Sequence, residues 1–270
     1  FHHEQACAIA AEGYARVSGK IPVVNVTTGP GGLNTLTGVM GQWTDSVPVL
    51  YISGQVKLPT TIYSCREIAL RQLGDQEVDI VSIVKPITKY AVMITDPATI
   101  KYHIDKAISI AFSGRPGPVW IDIPVDIQAA IIDTEDLIEY NDELDRVMTD
   151  DLTIKIQEVY KKLSESKNPL IVAGNGITIS KSRNDFLHLI DEIKIPVVTT
   201  FNGFDIIEEN NPYYVGRIGV QGTRAGNFAL QNCDLLITIG TRNNIRQVSY
   251  NWENFAKKAY KIVVDIDSNE

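Results

Sequence analysis

The chain has 270 residues, of which 44% are hydrophobic and 21% are charged, and its formal net charge is −8. This length allows two domains, each with a sizeable core. No apolar run approaches the roughly 20 residues that span a bilayer, and the first residues lack the order of a signal peptide. We therefore expect a globular protein without a membrane partner.

The negative charge is concentrated in one segment, residues 133–151. Its sequence, DTEDLIEYNDELDRVMTDD, holds nine acids and one arginine, so 1 − 9 = −8 and the remainder is neutral. A neutral remainder argues against a nucleic-acid partner. The cysteines at 7, 65 and 233 are odd in number and lack zinc-site spacing, which favours reduced thiols in a cytoplasmic protein.

A helix is predicted at the start of the chain, EQACAIAAEGYARVS. Its small residues Ala6, Ala10 and Gly13 recur at three- and four-residue spacing, a pattern that lets another helix come close. Glu4 lies in the first turn of this helix. Its position alone is typical of a surface acid that favours the helix dipole.

A strand, VVNV, is followed by the turn TTGPGG and a second helix. Backbone N–H groups at a helix start attract hydrogen-bond acceptors, and glycines let a ligand approach the backbone. The turn is neither GxxxxGK[ST] nor GxGxxG, so phosphate binding by either pattern is unsupported. A tight turn without a ligand is an equal alternative.

Continuous apolar, β-branched runs alternate with helical patterns along the whole chain, which is typical of parallel sheets covered by helices. The helical pattern at 96–114 begins at an aspartate cap and ends at glycine. The predicted strands are 23–26, 49–53, 119–123, 170–174, 196–200, 235–240 and 261–267.

This alternation predicts the α/β class, with two doubly wound, mainly parallel-sheet units. The acidic segment separates them, so we expect a first domain at 1–132, a linker at 133–150 packed on the surface, and a Rossmann-like second domain at 151–270.

Several motifs recur in an order that resembles thiamine-diphosphate-dependent enzymes, specifically the large catalytic subunit of acetolactate synthase. They are HHEQACAIAAEGYARVSGK, VTTGPGGLNTLTGVMGQWTDSVPVLYISGQV, LGDQEVDIV, SGRPGPVWIDIPVDIQ, GVQGTRAGNFALQNCDLLITIGTRNNIRQV and KIVVDIDSNE. The resemblance implies a pyrimidine-binding domain without its first strand and helix, then a central domain. It also implies that the diphosphate-binding domain, which holds Mg²⁺, follows Glu270, so that this fragment alone is inactive.

The resemblance also implies functional residues. Glu4 would hydrogen-bond the aminopyrimidine ring and assist proton transfer, a task that suits a buried carboxyl with a raised pKa. Gln76 would lie near the reacting carbon. The pyrimidine-contacting turn would comprise Gly29, Pro30, Gly31 and Asn34.

A second cofactor, FAD, binds the central domain of the acetolactate synthases. The residues that match its contacts are Arg115, Gly222, Thr223, Arg242 and Asp265. This sequence departs from the family's flavin-binding pattern at two places: Gln221 replaces the usual histidine, and Asn243-Asn244 interrupt the usual acidic run. An empty or differently occupied groove is therefore the alternative to bound FAD.

The leading functional hypothesis is a carboligase that decarboxylates pyruvate and joins the product to a second 2-keto acid. Gly74-Asp75 stand where many acetolactate synthases have Ala-Phe, which leaves open a simple 2-keto acid decarboxylase or a carboligase of a specialised pathway. A nucleotide- or NAD-binding module and a non-catalytic scaffold are alternatives of other classes. The resemblance further implies at least a homodimer and a regulatory subunit.

Overall fold

A computed structural model describes residues 1–141 and 150–270. The chain divides into two compact units, Phe1–Asp145 and Arg146–Glu270. The described start of the acidic segment packs on unit 1, where Glu139 accepts a hydrogen bond from Lys101 and the Tyr140 ring meets the edge of Tyr102. The rest of the predicted linker, 142–149, lies outside the described residues.

Unit 1 alternates strands with helices. Its elements are α1 (Glu4–Ser18), β1 (Val23–Val26), α2 (Pro30–Asn34), α3 (Leu36–Asp45), β2 (Leu50–Gln55), α4 (Ile80–Val84), β3 (Tyr90–Met93), α5 (Ile100–Phe112), β4 (Val119–Pro124) and α6 (Val125–Gln128). The four strands form one sheet in the order β1-β2-β4-β3, and every described pairing is parallel.

The sheet of unit 1 is covered on both faces. Tyr51 and Trp120 point to one face and stack with ring centroids 4.8 Å apart, in a core shared with α1 and α3. Leu50, Val119 and Ile121 point to the other face, in a core shared with α5. Because successive side chains of a strand alternate between faces, these continuous apolar runs supply both cores.

Unit 2 has the same architecture. Its elements are α7 (Asp150–Glu165), β5 (Pro169–Ala173), α8 (Gly176–Ile179), α9 (Arg183–Ile193), β6 (Val197–Thr199), β7 (Tyr214–Arg217), α10 (Arg224–Asn232), β8 (Leu235–Ile239), α11 (Ile245–Val248) and β9 (Tyr260–Val264). The strands form a second sheet in the order β7-β6-β5-β8-β9, again with parallel pairing.

Strands β5 and β8 of this sheet also contribute side chains to two hydrophobic cores, one on each face. Ile171 of β5 and Ile237 of β8 belong to one core with α9, whereas Val172 and Leu236 belong to the core on the opposite face. The switch in winding direction lies between β5 and β8, which is where doubly wound sheets bind ligands.

The predicted fold class is confirmed: two mainly parallel sheets alternate with helices. All seven predicted strands form, with ends that differ from the prediction by at most three residues, and α5 forms inside the predicted helix 96–114. Sequence reasoning missed β3 and β7, which are short and lie at sheet edges. In the described ranges, no helix is both long and apolar enough to cross a membrane.

Candidate functional site

The turn after β1 is shaped by one glycine. Gly29 has φ 61°, a left-handed conformation that side chains disfavour, and it precedes Pro30, the first residue of α2. A Cβ atom at Gly29 would lie 2.2 Å from the backbone oxygen of Gln76. The absent side chain therefore lets the predicted pyrimidine turn lie against the loop that carries Gln76.

Glu4 is brought to this turn by the start of α1. The ring Nδ1 of His3 caps the helix by accepting a hydrogen bond from the backbone of Gln5 at 3.1 Å. Asn34, the last residue of α2, donates from Nδ2 to Glu4 Oε2 at 3.1 Å. A Cβ atom at Gly31 would lie 3.8 Å from the other carboxylate oxygen. The structure thus joins three residues that are up to 30 positions apart.

The electrostatic state of Glu4 differs from the sequence expectation. The side chain is half-buried, and hydrogen bonds from its own backbone N–H and then from Asn34 lower its pKa below the ordinary value. The expected raised pKa is therefore wrong for this structure, because hydrogen-bond donors to the charged form outweigh desolvation. Glu4 is an ionised acceptor near neutral pH.

Gln76 occupies a left-handed turn with φ 55°, and a buried neighbour holds that turn. Glu77 is 6% exposed and accepts hydrogen bonds from the backbones of Ile62, Leu73 and Gly74 at 2.5, 3.1 and 3.0 Å. A carboxylate with three backbone donors closes the loop between β2 and α4. Gln76 is exposed at its tip.

Close packing explains why residue 74 is a glycine, where the family's pattern has a larger residue. A Cβ atom there would lie 2.6 Å from Val56 Cγ2 and 2.8 Å from the backbone oxygen of Thr60, so this path of the loop excludes any larger residue. Asp75, which follows it, is exposed. The structure therefore explains the glycine and leaves the aspartate free to face a ligand.

Sequence reasoning missed a buried polar group behind this site. Asp122 of β4 is 1% exposed and accepts from the Ser53 hydroxyl and from Gln55 Nε2 at 3.0 Å. Trp120 in turn donates its indole N–H to Ser53 at 2.8 Å. Burial raises the pKa of Asp122 to about 6, against the opposing hydrogen bonds.

A signal for this group was present in the sequence. An aspartate stands inside the apolar run VWIDI, which was predicted to be buried on both faces. A carboxyl in such a strand requires hydrogen-bond partners. Neighbouring strands supply these partners, so the partners themselves become visible only once β2 and β4 are paired.

A cavity of about 610 Å³ adjoins this polar group. It lies within unit 1, towards the carboxyl ends of β2, β4 and β3. Gln55 and Asp122 line one side of it. The loop after β2 and the start of α4 line the other, through residues that include Arg66, Glu77 and Asp79.

The residues predicted to contact FAD divide between the two units. Arg115 belongs to unit 1, where its Nε donates to the Ser46 hydroxyl at 2.9 Å. Arg242 and Asp265 follow the ends of β8 and β9, which are neighbouring strands joined at this end by the Gly240 N–H and the Val264 carbonyl. Both side chains are exposed.

The other two residues predicted to contact the flavin, Thr223 and Gly222, each have a structural role within the chain. Thr223 caps α10 by accepting a hydrogen bond from the backbone of Gly226 at 3.1 Å. A Cβ atom at Gly222 would lie 2.7 Å from the backbone oxygen of Arg217, so packing alone requires this glycine. Beside Arg242, the buried Oδ1 of Asn243 has no hydrogen-bond donor among the described residues.

Across residues 1–141 and 150–270, no cluster of three or more His, Cys, Asp or Glu side chains has the geometry to hold a metal ion. The three cysteines are all unpaired thiols, and only that of Cys233 is fully buried.

Family comparisons agree with both units. Residues 1–83 match the N-terminal TPP binding domain of thiamine pyrophosphate enzymes, and residues 156–270 match the central domain of the same enzymes. Thiamine pyrophosphate is another name for thiamine diphosphate. The chain therefore belongs to the thiamine pyrophosphate enzymes and carries their N-terminal and central domains.

Among individual proteins, the chain is similar to acetolactate synthase large subunits over 99% of its length. It is 38% identical to a probable acetolactate synthase large subunit of Methanocaldococcus jannaschii and 38% identical to the acetolactate synthase large subunit of Lactococcus lactis. It is 34% identical to the isozyme 2 large subunit of Escherichia coli. The chain spans 44%, 45% and 46% of these relatives, less than half of each.

Proposed function

We propose that this chain is part of a thiamine-diphosphate-dependent carboligase that decarboxylates a 2-keto acid, pyruvate, and joins the product to a second 2-keto acid. The observation that carries the proposal is the Glu4 carboxylate, held by Asn34 at 3.1 Å beside the turn that begins at Gly29. The names of the similar proteins support the same activity.

The residues at the turn fit an aminopyrimidine ring. The ring needs an acceptor for the N–H of its protonated nitrogen, and ionised Glu4 is one. Gly29 and Gly31 have no side chains, which lets the backbone of this turn pack against the Gln76 loop and against Thr27 beside Glu4. Gln76 is placed on the loop that touches Gly29, where we propose that it faces the reacting atoms.

In this proposal Glu4 orients the ring and holds a proton at the ring nitrogen. When bound, thiamine diphosphate supplies the electron sink for decarboxylation and transfer of the remaining carbon unit. We propose that the diphosphate and Mg²⁺ are held by a further domain of the complete protein.

The proposal is tested by Glu4→Gln in the complete protein. A neutral amide cannot hold the ring proton as the carboxylate does, so exchange of the C2 proton of thiamine diphosphate should slow by about 100-fold or more. NMR measures this exchange after a deuterium pulse. Unchanged exchange with cofactor bound would remove Glu4 from the mechanism.

A matched control lies two turns further along the same helix. Glu12 pairs with Arg16 at 2.8 Å and does not touch the turn, so Glu12→Gln makes the same chemical change on α1. We expect Glu12→Gln to exchange the C2 proton at the wild-type rate, which would separate the role of Glu4 from a general loss of negative charge.

The acceptor substrate is best tested by product analysis. Pyruvate alone should yield 2-acetolactate, and pyruvate with 2-ketobutyrate should yield the mixed product if the protein is a general acetolactate synthase. Free aldehyde as the main product would instead favour the decarboxylase alternative. The exposed Asp75 beside Gln76 is the feature that keeps the specialised alternatives open.

We also propose that unit 2 binds FAD. The unpaired buried oxygen of Asn243, next to Arg242, supports a ligand with a hydrogen-bond donor in this groove. Purified complete protein should then show the visible absorbance of a flavin. A colourless and fully active protein would contradict this part of the proposal.

The assembly we propose is at least a homodimer with a regulatory subunit, in the cytoplasm. The similar proteins are named large subunits, and three unpaired thiols suit a reducing compartment. The exposed side chains of Ile9, Tyr14 and Val17 on α1, beside Gly13, offer an apolar face for a second copy.

A further inference from the structure

Gln55, the last residue of β2, joins three segments of unit 1. Its side-chain oxygen accepts from the Thr28 hydroxyl at 2.6 Å and from the backbone of Val56 at 3.0 Å. Its Nε2 donates to Asp122 Oδ2 and to the backbone oxygen of Val78, both at 3.0 Å. Thr28 immediately precedes Gly29, and Val78 follows Gln76 by two residues.

These partners fix the orientation of the amide. Both groups that face its oxygen are donors, Thr28 and the Val56 N–H, and both groups that face its nitrogen are acceptors, Asp122 and the Val78 carbonyl. A rotation of the amide by half a turn would set its nitrogen against the Val56 N–H and its oxygen against Asp122 and the Val78 carbonyl. Asp122, together with these two backbone groups, therefore selects which end of Gln55 reaches the Thr28 hydroxyl.

Hydrogen bonds hold the Gln55 side chain in place, because on one side it faces a cavity and is not packed against other side chains. Gln55 is 7% exposed, yet both it and Asp122 line the cavity of about 610 Å³. The contact between Gly29 and the backbone of Gln76 lies between the two loops that Gln55 joins. Loss of the amide bonds would free these loops to separate.

We propose that Gln55 is a positioning residue, which acts with Asp122 to hold the pyrimidine turn and the Gln76 loop in register for cofactor binding. This inference rests on the proposed function. The hydrogen-bond pair of Gln55 and Asp122 would then control cofactor affinity through the two loops that it joins.

The test is Gln55→Glu in the complete protein. The new carboxyl keeps the shape of glutamine but shares at most one proton with Asp122, so at least one of the two donations that Gln55 makes, to Asp122 and to the Val78 carbonyl, is lost. We expect the Kd for thiamine diphosphate, measured by calorimetry with Mg²⁺ present, to rise about 10-fold or more, the cost of a lost hydrogen bond to a buried charged group.

A double variant tests the pairing itself. In Gln55→Glu with Asp122→Asn, the amide nitrogen of the new asparagine donates to the new carboxylate, so the polarity of the pair is reversed but complementary. Part of the lost affinity should return, because the pair with residue 122 is repaired while the Val78 carbonyl still lacks its donor. A folded double variant that binds no better than Gln55→Glu would overturn the pairing.

Gln128→Glu is the matched control. Gln128 is an exposed glutamine of the same unit that donates to the backbone of Ile123 at 2.7 Å, so the chemical change is the same without the loop contacts. Its Kd should stay within about twofold of wild type, as for other surface substitutions. If Gln55→Glu does not fold, Thr28→Val carries the test, because it removes only the hydroxyl donor of the turn.

A readout without cofactor separates this inference from the proposed function. Amide hydrogen exchange at residues 27–34 and 73–79 should be faster in Gln55→Glu than in wild type, with residues 119–124 unchanged. If wild-type protein binds no thiamine diphosphate, the proposed function fails while this result still stands. If wild type binds and Gln55→Glu binds equally well, the inference alone is wrong.

Discussion

Asp122 carries a carboxyl group in the middle of an apolar strand and is 1% exposed. Desolvation raises its pKa to about 6 and the charge of Asp79 adds to the rise, whereas hydrogen bonds from Ser53 and Gln55 oppose it. The protein therefore keeps a charge in its interior at neutral pH, at a cost in stability. Buried charged groups with shifted pKa values are common at functional sites.

The sign of the resulting pH dependence follows from linkage. The ordinary pKa of 3.8 applies to the unfolded chain, and about 6 to the folded one, so between these values only the folded state binds the proton. Stability from this group is therefore lost as pH rises through the window. Relative to Asp122→Asn, wild type should lose about 2 kcal/mol between about pH 4 and pH 7.

Urea unfolding of both proteins at the two pH values measures this difference. Because other titrating groups are common to both proteins, subtraction isolates Asp122. Stability curves that run parallel over the whole range would show that residue 122 has an ordinary pKa.

Sequence reasoning predicted one part of the site and missed another for a physical reason. Glu4 and Asn34 were found through motif resemblance, and they lie together in the structure. The bond between Gln55 and Asp122 spans 67 positions and depends on the register of β2 with β4. The lowered pKa of Glu4 likewise depends on contacts that no local pattern reports.

At the scale of elements, α1 is held against α3 by close approach. A Cβ atom at Gly38 of α3 would lie 2.5 Å from the Cβ of Ala8, and the buried amide of Gln42 donates to the backbone oxygen of Ala8 at 2.8 Å. The small residues that pack inside the chain are thus Ala8, Ala11 and Ala15, and the predicted Gly13 faces outward.

Gly38→Ala should therefore destabilise the protein. The added methyl forces α1 away from α3, an overpacking that costs about 1–3 kcal/mol, and it moves Glu4 with the helix. Thermal unfolding of the complete protein measures the loss.

Gly13→Ala is the opposing control. A Cβ atom at Gly13 has nothing within 4 Å in this chain, so where no second copy covers it the helix gains about 0.5–1 kcal/mol from the better propensity of alanine. A lower melting temperature for this variant would mean that another surface covers this face of α1.

The elements themselves were predictable where their pattern was strong. Long apolar runs became the central strands β2, β4, β5 and β8, which are covered on both faces. The edge strand β7 contains a glycine and β3 is only half-buried. A short strand with mixed burial carries little periodicity, so only pairing with a neighbour reveals it.

At the scale of the whole molecule, each unit has its own cores. The residues proposed for the pyrimidine ring all belong to unit 1, whereas four of the five proposed for FAD belong to unit 2. We therefore expect damage to one site to leave the cofactor affinity of the other unchanged.

Arg242→Ala and Glu4→Gln test this independence as a pair. In the complete protein, Arg242→Ala should lower the flavin content while the Kd for thiamine diphosphate stays within about twofold of wild type. Glu4→Gln should retain full flavin content. Loss of both cofactors from either variant would show that the two sites are coupled.

The strand order of unit 1 also governs how the chain folds as it is synthesised. β4 pairs with both β2 and β3, yet it is the last strand of the described unit to leave the ribosome. Until residue 124 emerges, β3 has no partner and one side of β2 stays open. Such apolar edges are the surfaces that incomplete chains expose to aggregation and to chaperones. We therefore expect unit 1 to close late, in one step, when its central strand arrives.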